Sequence, residues 1–217
     1  MLEREKTSRG INKAQEVEPI KNPKDINKLM QYLDGKKNKR DLMLFAVGIS
    51  VGLRAGDLLK LKWNDILDNK GNMVDSVAII EEKTDKKREF ELNTTAKKGM
   101  KVYLDSINDD INMDAYVFRS QKGGALTVES AHKIVKTTLK ELNIKGNYGT
   151  HTLRKTWAYH MYINNSSNPM MLPYLQQMLN HSSQSVTLKY IGITKEVIKD
   201  FYNRSEEHTS ELQSPPL

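Results

Sequence analysis

"RDLMLFAVGISVGLR", residues 40–54, decides the fold. It is apolar on most sides, which fits a helix buried at the centre of a domain rather than one lying half-exposed on its surface. Gly52 can adopt the left-handed conformation that ends a helix, so Arg54 falls in the turn before the next element. Upstream, "EPIKNPKDINKLMQYLDGKK" (18–37) predicts a covering helix. There Asn22 can cap, Pro23 suits the first helical position, and Ile26, Leu29, Met30 and Leu33 recur at helical spacing. Downstream, "AGDLLKLKW" predicts a short helix from Ala55 to Trp63.

The pattern changes between Asn69 and Leu92. "SVAIIEE" and "REFEL" are rich in β-formers and flank "KTDKK" (83–87), which reads as a hairpin tip. Helical signals then return in "TTAKKGMKVYLDSI", "TVESAHKIVKTTLKEL", "THTLRKTWAYHMYI", "PMMLPYLQQML", "SQSVTLKYIGI" and "KEVIKDFY". The expected class is α+β, mainly helical with one small antiparallel sheet. Residues 1–17 are polar and aperiodic and read as an arm or linker. The last stretch, "RSEEHTSELQSPPL" (204–217), has no apolar periodicity and resembles a translated sequencing adapter. It is expected to be a non-native, disordered tail.

The chain has 217 residues, 34 basic against 27 acidic, for a formal charge of +7. Without residues 204–217 the balance is 33 to 24, or +9. Such a surplus favours a polyanionic partner, because clustered Lys and Arg release counterions from a phosphate backbone. There are no cysteines, which excludes disulfides and thiolate metal sites. No apolar run approaches the roughly 18 residues that span a bilayer, and the first residues lack a signal-peptide core. A cytoplasmic protein without membrane contact is expected.

Four segments could carry chemistry. In "VGLRAGDLLKLKW", Arg54 can present its guanidinium fork to a phosphate with Asp57 holding it from behind, or it can cap the preceding helix and pair with Asp57 at the surface. In the hairpin, Lys83, Lys86, Lys87 and Arg88 are either a solvated turn or a source of one lysine delivered into a minor groove or towards a leaving oxygen. In "HTLRKTWAYH" (151–160), Thr150 is a plausible N-cap, and His151 and Arg154 share a helical face apart from the Leu153, Trp157, Met161 stripe. The alternatives are a buried core histidine and a surface ion pair. In "LNHSSQSVTLKYIGI", His181 follows a helix, Ser183 can cap the next, and Tyr190 lies two turns into it. A phenol with a reference pKa near 10 needs help to attack at neutral pH, and nearby arginines favour its phenolate.

Taken in chain order, Arg in a "GLR" turn, Lys on a hairpin, "HxLR", and His followed nine residues later by Tyr resemble the catalytic domain of the tyrosine recombinases, the phage and transposon integrase family. The resemblance spans about residues 18–203. It implies a helical catalytic domain with a small three-stranded antiparallel sheet. It also implies a site of Arg54, Lys83, His151, Arg154, His181 and Tyr190, with Asp57 supporting the first arginine. Asp85 stands where glycine is usual in the hairpin, Asn180 where glycine often precedes the histidine, and Glu91 where proline is common. Tyr190 would attack a phosphodiester of double-stranded DNA to give a 3′-phosphotyrosyl link, without metal, ATP or other cofactor. Members work as homotetramers on two duplexes, and most carry a further DNA-binding domain before the catalytic one. A bacterial or phage-encoded, nucleoid-associated integrase is therefore expected. A type IB topoisomerase-like nicking and closing enzyme, or a non-catalytic DNA-binding remnant of a mobile element, are the alternatives.

Overall fold

A computed structural model describes residues 16–107 and 111–193. The "KEVIKDFY" helix and the 204–217 tail lie outside the described residues. The elements follow in order as α1 (Pro23–Asp34), α2 (Lys39–Val51), α3 (Ala55–Leu59), α4 (Trp63–Ile66), β1 (Ser76–Ile80), β2 (Lys87–Glu91), α5 (Thr94–Leu104), α6 (Val128–Glu141), α7 (Thr150–Asn164), α8 (Met171–Leu179) and α9 (Gln184–Tyr190).

Local chemistry sets most boundaries. Asn22 accepts the Lys24 amide at 3.0 Å and Pro23 opens α1. Asn38, Asn93, Thr127 and Ser183 likewise cap α2, α5, α6 and α9 with their side chains, each satisfying an amide that the helix itself leaves unpaired. Helix α7 starts one residue earlier than its sequence suggests: Gly149 is the N-cap, and Thr152 Oγ1 accepts the Gly149 amide at 3.1 Å.

Helix α2 is the axis of the domain, with Leu42 to Val47 buried on every side. Helix α5 and helix α7 pack on it, and α1 covers another flank. The approach of α7 is close because α2 has no side chains in the way. A Cβ on Gly48 would lie 2.7 Å from Leu153 Cδ1, and one on Gly52 would lie 2.2 Å from Trp157 Cε3. Gly52 also takes φ 62° and so turns the chain into Arg54. The apolar interior divides into two clusters. The larger gathers α1 to α6 and Leu153. The smaller gathers Trp157, Ala158, Met171, Leu175, Leu179 and Ile191 from α7, α8 and the end of α9.

Two expectations need correction. The "AGDLLKLKW" helix breaks after Leu59, because Leu61 turns its carbonyl to the Val117 amide (2.8 Å) and the Trp63 amide bonds Ala115 (3.1 Å). These long-range bonds replace helical ones, and Asp65 restarts the helix by accepting the Lys62 amide at 2.7 Å. The sheet has two strands among the described residues, not three. β1 and β2 pair antiparallel from Ser76↔Glu91 to Ile80↔Lys87. Ahead of them, Leu67 and Met73 form only an isolated bridge. The Asp68 carboxylate takes the Lys70 and Asn72 amides there, both at 2.8 Å, closing a turn too tight to start a strand.

Candidate active site

Arg54 is the N-cap of α3, held extended by the left-handed Gly52 just before it. Its Nη1 lies 2.6 Å from Glu81 Oε2, an ion pair off hydrogen-bond alignment. Asp57 does not share that guanidinium. It is 7% exposed and accepts the Glu82 amide at 2.9 Å, so it anchors the base of the hairpin while Glu81 takes the place beside Arg54. Burial opposes ionisation of Glu81. The Thr84 hydroxyl and the guanidinium groups of Arg54 and Arg88 outweigh it and hold the carboxyl below its ordinary value.

The hairpin separates its cations. The Asp85 amide bonds Glu81 O at 2.9 Å, and Asp85 itself is left-handed at φ 52°, the conformation that glycine would otherwise supply. Lys83 is exposed at the tip, and its charge reaches His151, whose pKa it helps to lower. Lys86 and Lys87 instead line a groove with Trp157, Met161 and Met178. Arg88, which reads in sequence as one more turn cation, is turned inward and is only 13% exposed in its side chain.

Helix α7 brings the opening pair together. His151 lies in its first turn with its ring partly desolvated by the site but still reaching solvent, so it is not a core histidine. Arg154 is 5% exposed and, among the described residues, in no salt bridge, so it is not one half of a surface ion pair. Its Nη2 donates to Leu179 O at 3.3 Å, while Nη1 is buried and makes no aligned hydrogen bond among the described residues, although the guanidinium lies close enough to Tyr190 to favour its phenolate. Burial pulls the Arg154 pKa down to about 10, so it remains a cation at neutral pH. A buried guanidinium with a free donor is costly unless an anion completes it.

Helices α8 and α9 supply the remaining groups. Left-handed Asn180 (φ 57°) ends α8 and swings His181 back, where its carbonyl accepts from Gln176 Nε2 at 3.1 Å. His181 Nδ1 lies 3.1 Å from Thr187 Oγ1, and that hydroxyl donates to Ser183 O at 3.3 Å. Having one proton to give, the hydroxyl accepts from Nδ1–H, which assigns the lone pair to Nε2. Burial and the charges of Arg154 and Arg54 lower the His181 pKa, so the ring is neutral at pH 7. His151 is lowered likewise, by burial first and then Arg154.

Tyr190 ends α9, with its ring 4.9 Å from that of His181 at an interplanar angle of 68°. Arg154 and Arg54 do favour the phenolate, but burial outweighs them and raises the phenol above its ordinary value. To act as a nucleophile Tyr190 would need a base, and the neutral imidazole of His181 stands against it. Lys155 was not singled out by sequence. It is 4% exposed, its Nζ lies 4.9 Å from the Tyr190 ring, and it pairs with Glu16 at 2.7 Å.

The arrangement thus gathers two arginines, whose charges both act on Tyr190 and His181, with two imidazoles, a phenol and a hairpin lysine. The phage integrase family profile matches residues 21–196. The chain belongs to the phage integrase family. Among its relatives in that family, the Bacillus subtilis (strain 168) protein named "Probable integrase/recombinase YoeC" is 34% identical over 187 residues, covering 86% of this chain and 95% of that protein. Tyrosine recombinase XerD of Listeria innocua is 29% identical over 197 residues, 88% of this chain but 63% of XerD. The chain therefore spans less than two thirds of that relative. Two crystal structures of recombinases share the fold. XerA recombinase superposes with a TM-score of 0.65 at 20% identity, over 92% of this chain and 66% of that one. XerH site-specific recombinase, in a post-cleavage complex with a palindromic difH substrate, gives 0.64 at 22% identity over 89% and 54%.

Proposed function

We propose that the protein is a site-specific DNA recombinase that cuts and rejoins strands through a 3′-phosphotyrosyl intermediate. The observation that carries this reading is the buried Arg154 guanidinium, whose Nη1 makes no aligned hydrogen bond among the described residues, in a site that also holds Tyr190 and His181. A scissile phosphate would complete that donor. Arg54 and Arg154 would bind the two non-bridging oxygens, where charge builds in the transition state, and each such donor contributes about 10²–10³ in rate. Tyr190 Oη would attack phosphorus and pass its proton to His181 Nε2. The phosphorus bond to the 5′-oxygen breaks, and Lys83 would protonate that oxygen as it leaves. His151 would donate to the phosphate from the open side. The new P–O(Tyr) bond conserves the energy of the old one, so a 5′-hydroxyl from a second duplex reverses the step and exchanges strands.

On this reading residues 18–203 are the catalytic unit, 1–17 an arm leading into it, and 204–217 a non-native tail. The working species is a homotetramer on two duplexes, in the bacterial cytoplasm on the nucleoid. Among the described residues no helix is long and apolar enough to cross a membrane.

The test is covalent capture. A pool of duplexes with randomised flanks, each carrying a bridging sulfur at the 5′-leaving position so that cleavage cannot reverse, should give denaturant-resistant adducts with the wild type and none with Tyr190→Phe. Adducts of equal yield from both would overturn the assignment of the nucleophile, and a wild type that binds the pool but never bonds to it would overturn the reading.

A further inference from the structure

We propose that Arg88 is a positioning residue for strand cleavage: it fixes the segments that carry Arg54, His181 and Lys83 with one guanidinium while itself touching no DNA. The inference rests on the recombinase reading above. Arg88 Nη2 donates to Gly52 O at 3.1 Å and Val51 O at 3.4 Å, at the end of α2 and just before Arg54. Its Nη1 donates to Met178 O at 3.2 Å, at the end of α8 and three residues before His181. The same Nη1 meets Glu81 Oε1 at 3.3 Å, and the other oxygen of Glu81 holds Arg54. Trp157 closes the remaining side, its ring centroid 5.9 Å from the guanidinium carbon.

Two features make this a device rather than an incidental contact. Helices α2 and α8 both end in left-handed residues, Gly52 and Asn180, and their last carbonyls lack helical partners. A cation at the meeting point of two helix C-termini satisfies those carbonyls and both dipoles at once. The guanidinium is also a rigid planar fork, so the directions of its bonds fix the angle between α2, α8 and the hairpin. A lysine in its place keeps the charge but directs one flexible point at one or two of these acceptors. Glu81 completes the link, because one carboxylate shared by Arg88 and Arg54 transmits the orientation of the fork to the phosphate-binding arginine.

The experiment compares wild type, Arg88→Lys, Glu81→Gln, Lys83→Ala and Tyr190→Phe on the duplex that the wild type captures most strongly, made with a normal and with a sulfur-bridged 5′ position. Folding is monitored by circular dichroism, DNA affinity by anisotropy, and adduct formation by single turnover. Arg88→Lys should fold, bind DNA within about threefold of wild type and form adduct about 100-fold more slowly, the cost of displacing catalytic groups by about 1 Å. Sulfur should restore Lys83→Ala, which lacks only the leaving-group acid, and should leave the Arg88→Lys deficit in place. A folded Arg88→Lys that forms adduct at the wild-type rate, or whose loss is matched by an equal loss of affinity, overturns the proposal. Should Arg88→Lys not fold, Glu81→Gln decides: the same selective loss of rate supports the relay, and a rate equal to or above wild type overturns it. If the wild type itself gives no adduct, the recombinase reading falls and this inference falls with it. If the wild type reacts and Arg88→Lys reacts equally, only the inference falls.

Discussion

Gly52→Ala should destabilise the protein by about 2–5 kcal/mol, the sum of two separable costs. The backbone there is left-handed, at φ 62°, which costs a non-glycine residue about 1–2 kcal/mol. The new methyl would also lie 2.2, 2.4 and 2.6 Å from three carbons of the Trp157 indole, against the roughly 3.5–4.0 Å of a normal carbon contact. Because Trp157 is only 6% exposed, the ring cannot simply swing away, and overpacking of this kind costs about 1–3 kcal/mol. Gly71→Ala is the matched control. It has the same backbone demand, at φ 78°, with nothing within 4 Å of the added carbon, so it should lose only the first cost. With a urea m-value of about 2–3 kcal/mol per molar, the Gly52→Ala midpoint should fall by about 0.7–2.5 M and the Gly71→Ala midpoint by about 0.3–1 M. In a Trp63→Phe background the emission of Trp157 should report the displaced ring directly. Equal midpoints for the two variants would refute the claim that close contact between α2 and α7 constrains this position.

Lys83→Ala should slow adduct formation by about 10²–10⁴ on a normal duplex and recover most of it on a sulfur-bridged one, whereas Lys86→Ala and Lys87→Ala should react like wild type. Single-turnover cleavage on both substrates checks the choice among the hairpin lysines. The rate should be flat at neutral pH, hold through the ordinary imidazole value of about 6.5 and fall only as pH drops through the lowered native value, because His181 is a base only while neutral. The same lowering means that the native state binds fewer protons than the unfolded one. The stability it gives is therefore complete above the ordinary imidazole value and is lost as pH falls through the lowered native one. Thermal melts of wild type and His181→Gln between neutral and acid pH should converge at the acid end.

Much of the fold is written in short-range chemistry. Asn22, Pro23, Ser183 and Gly52 act on neighbours within four residues, and Asp85 takes its left-handed turn for the same local reason. The juxtaposition of His151 and Arg154 was legible through spacing, since the two must share a face of any helix that holds them. What was not legible depends on segments distant in the chain. Leu61 leaves its helix for a partner more than fifty residues away. Arg88 looks like Lys86 and Lys87 in sequence, and only the arrival of α2 and α8 on the same side of the strand turns it into an internal brace. Lys155 is hidden in the same way, its burial set by Glu16 and by Tyr190 from opposite ends of the chain. The phenol shows the limit of counting charges, because desolvation overturns the direction that the arginines alone would set.

The two apolar clusters divide the labour of the site between separate reserves of stability. Arg54 and the hairpin are borne by the large cluster around α2, while Tyr190 and His181 are borne by the small one that α8 and α9 make against the second half of α7. A unit that buries less apolar surface opens at a lower free energy than the whole molecule. On the recombinase reading, opening of this small unit would withdraw Tyr190 while Arg54 stays in place, an equilibrium distinct from the one that keeps the chain folded.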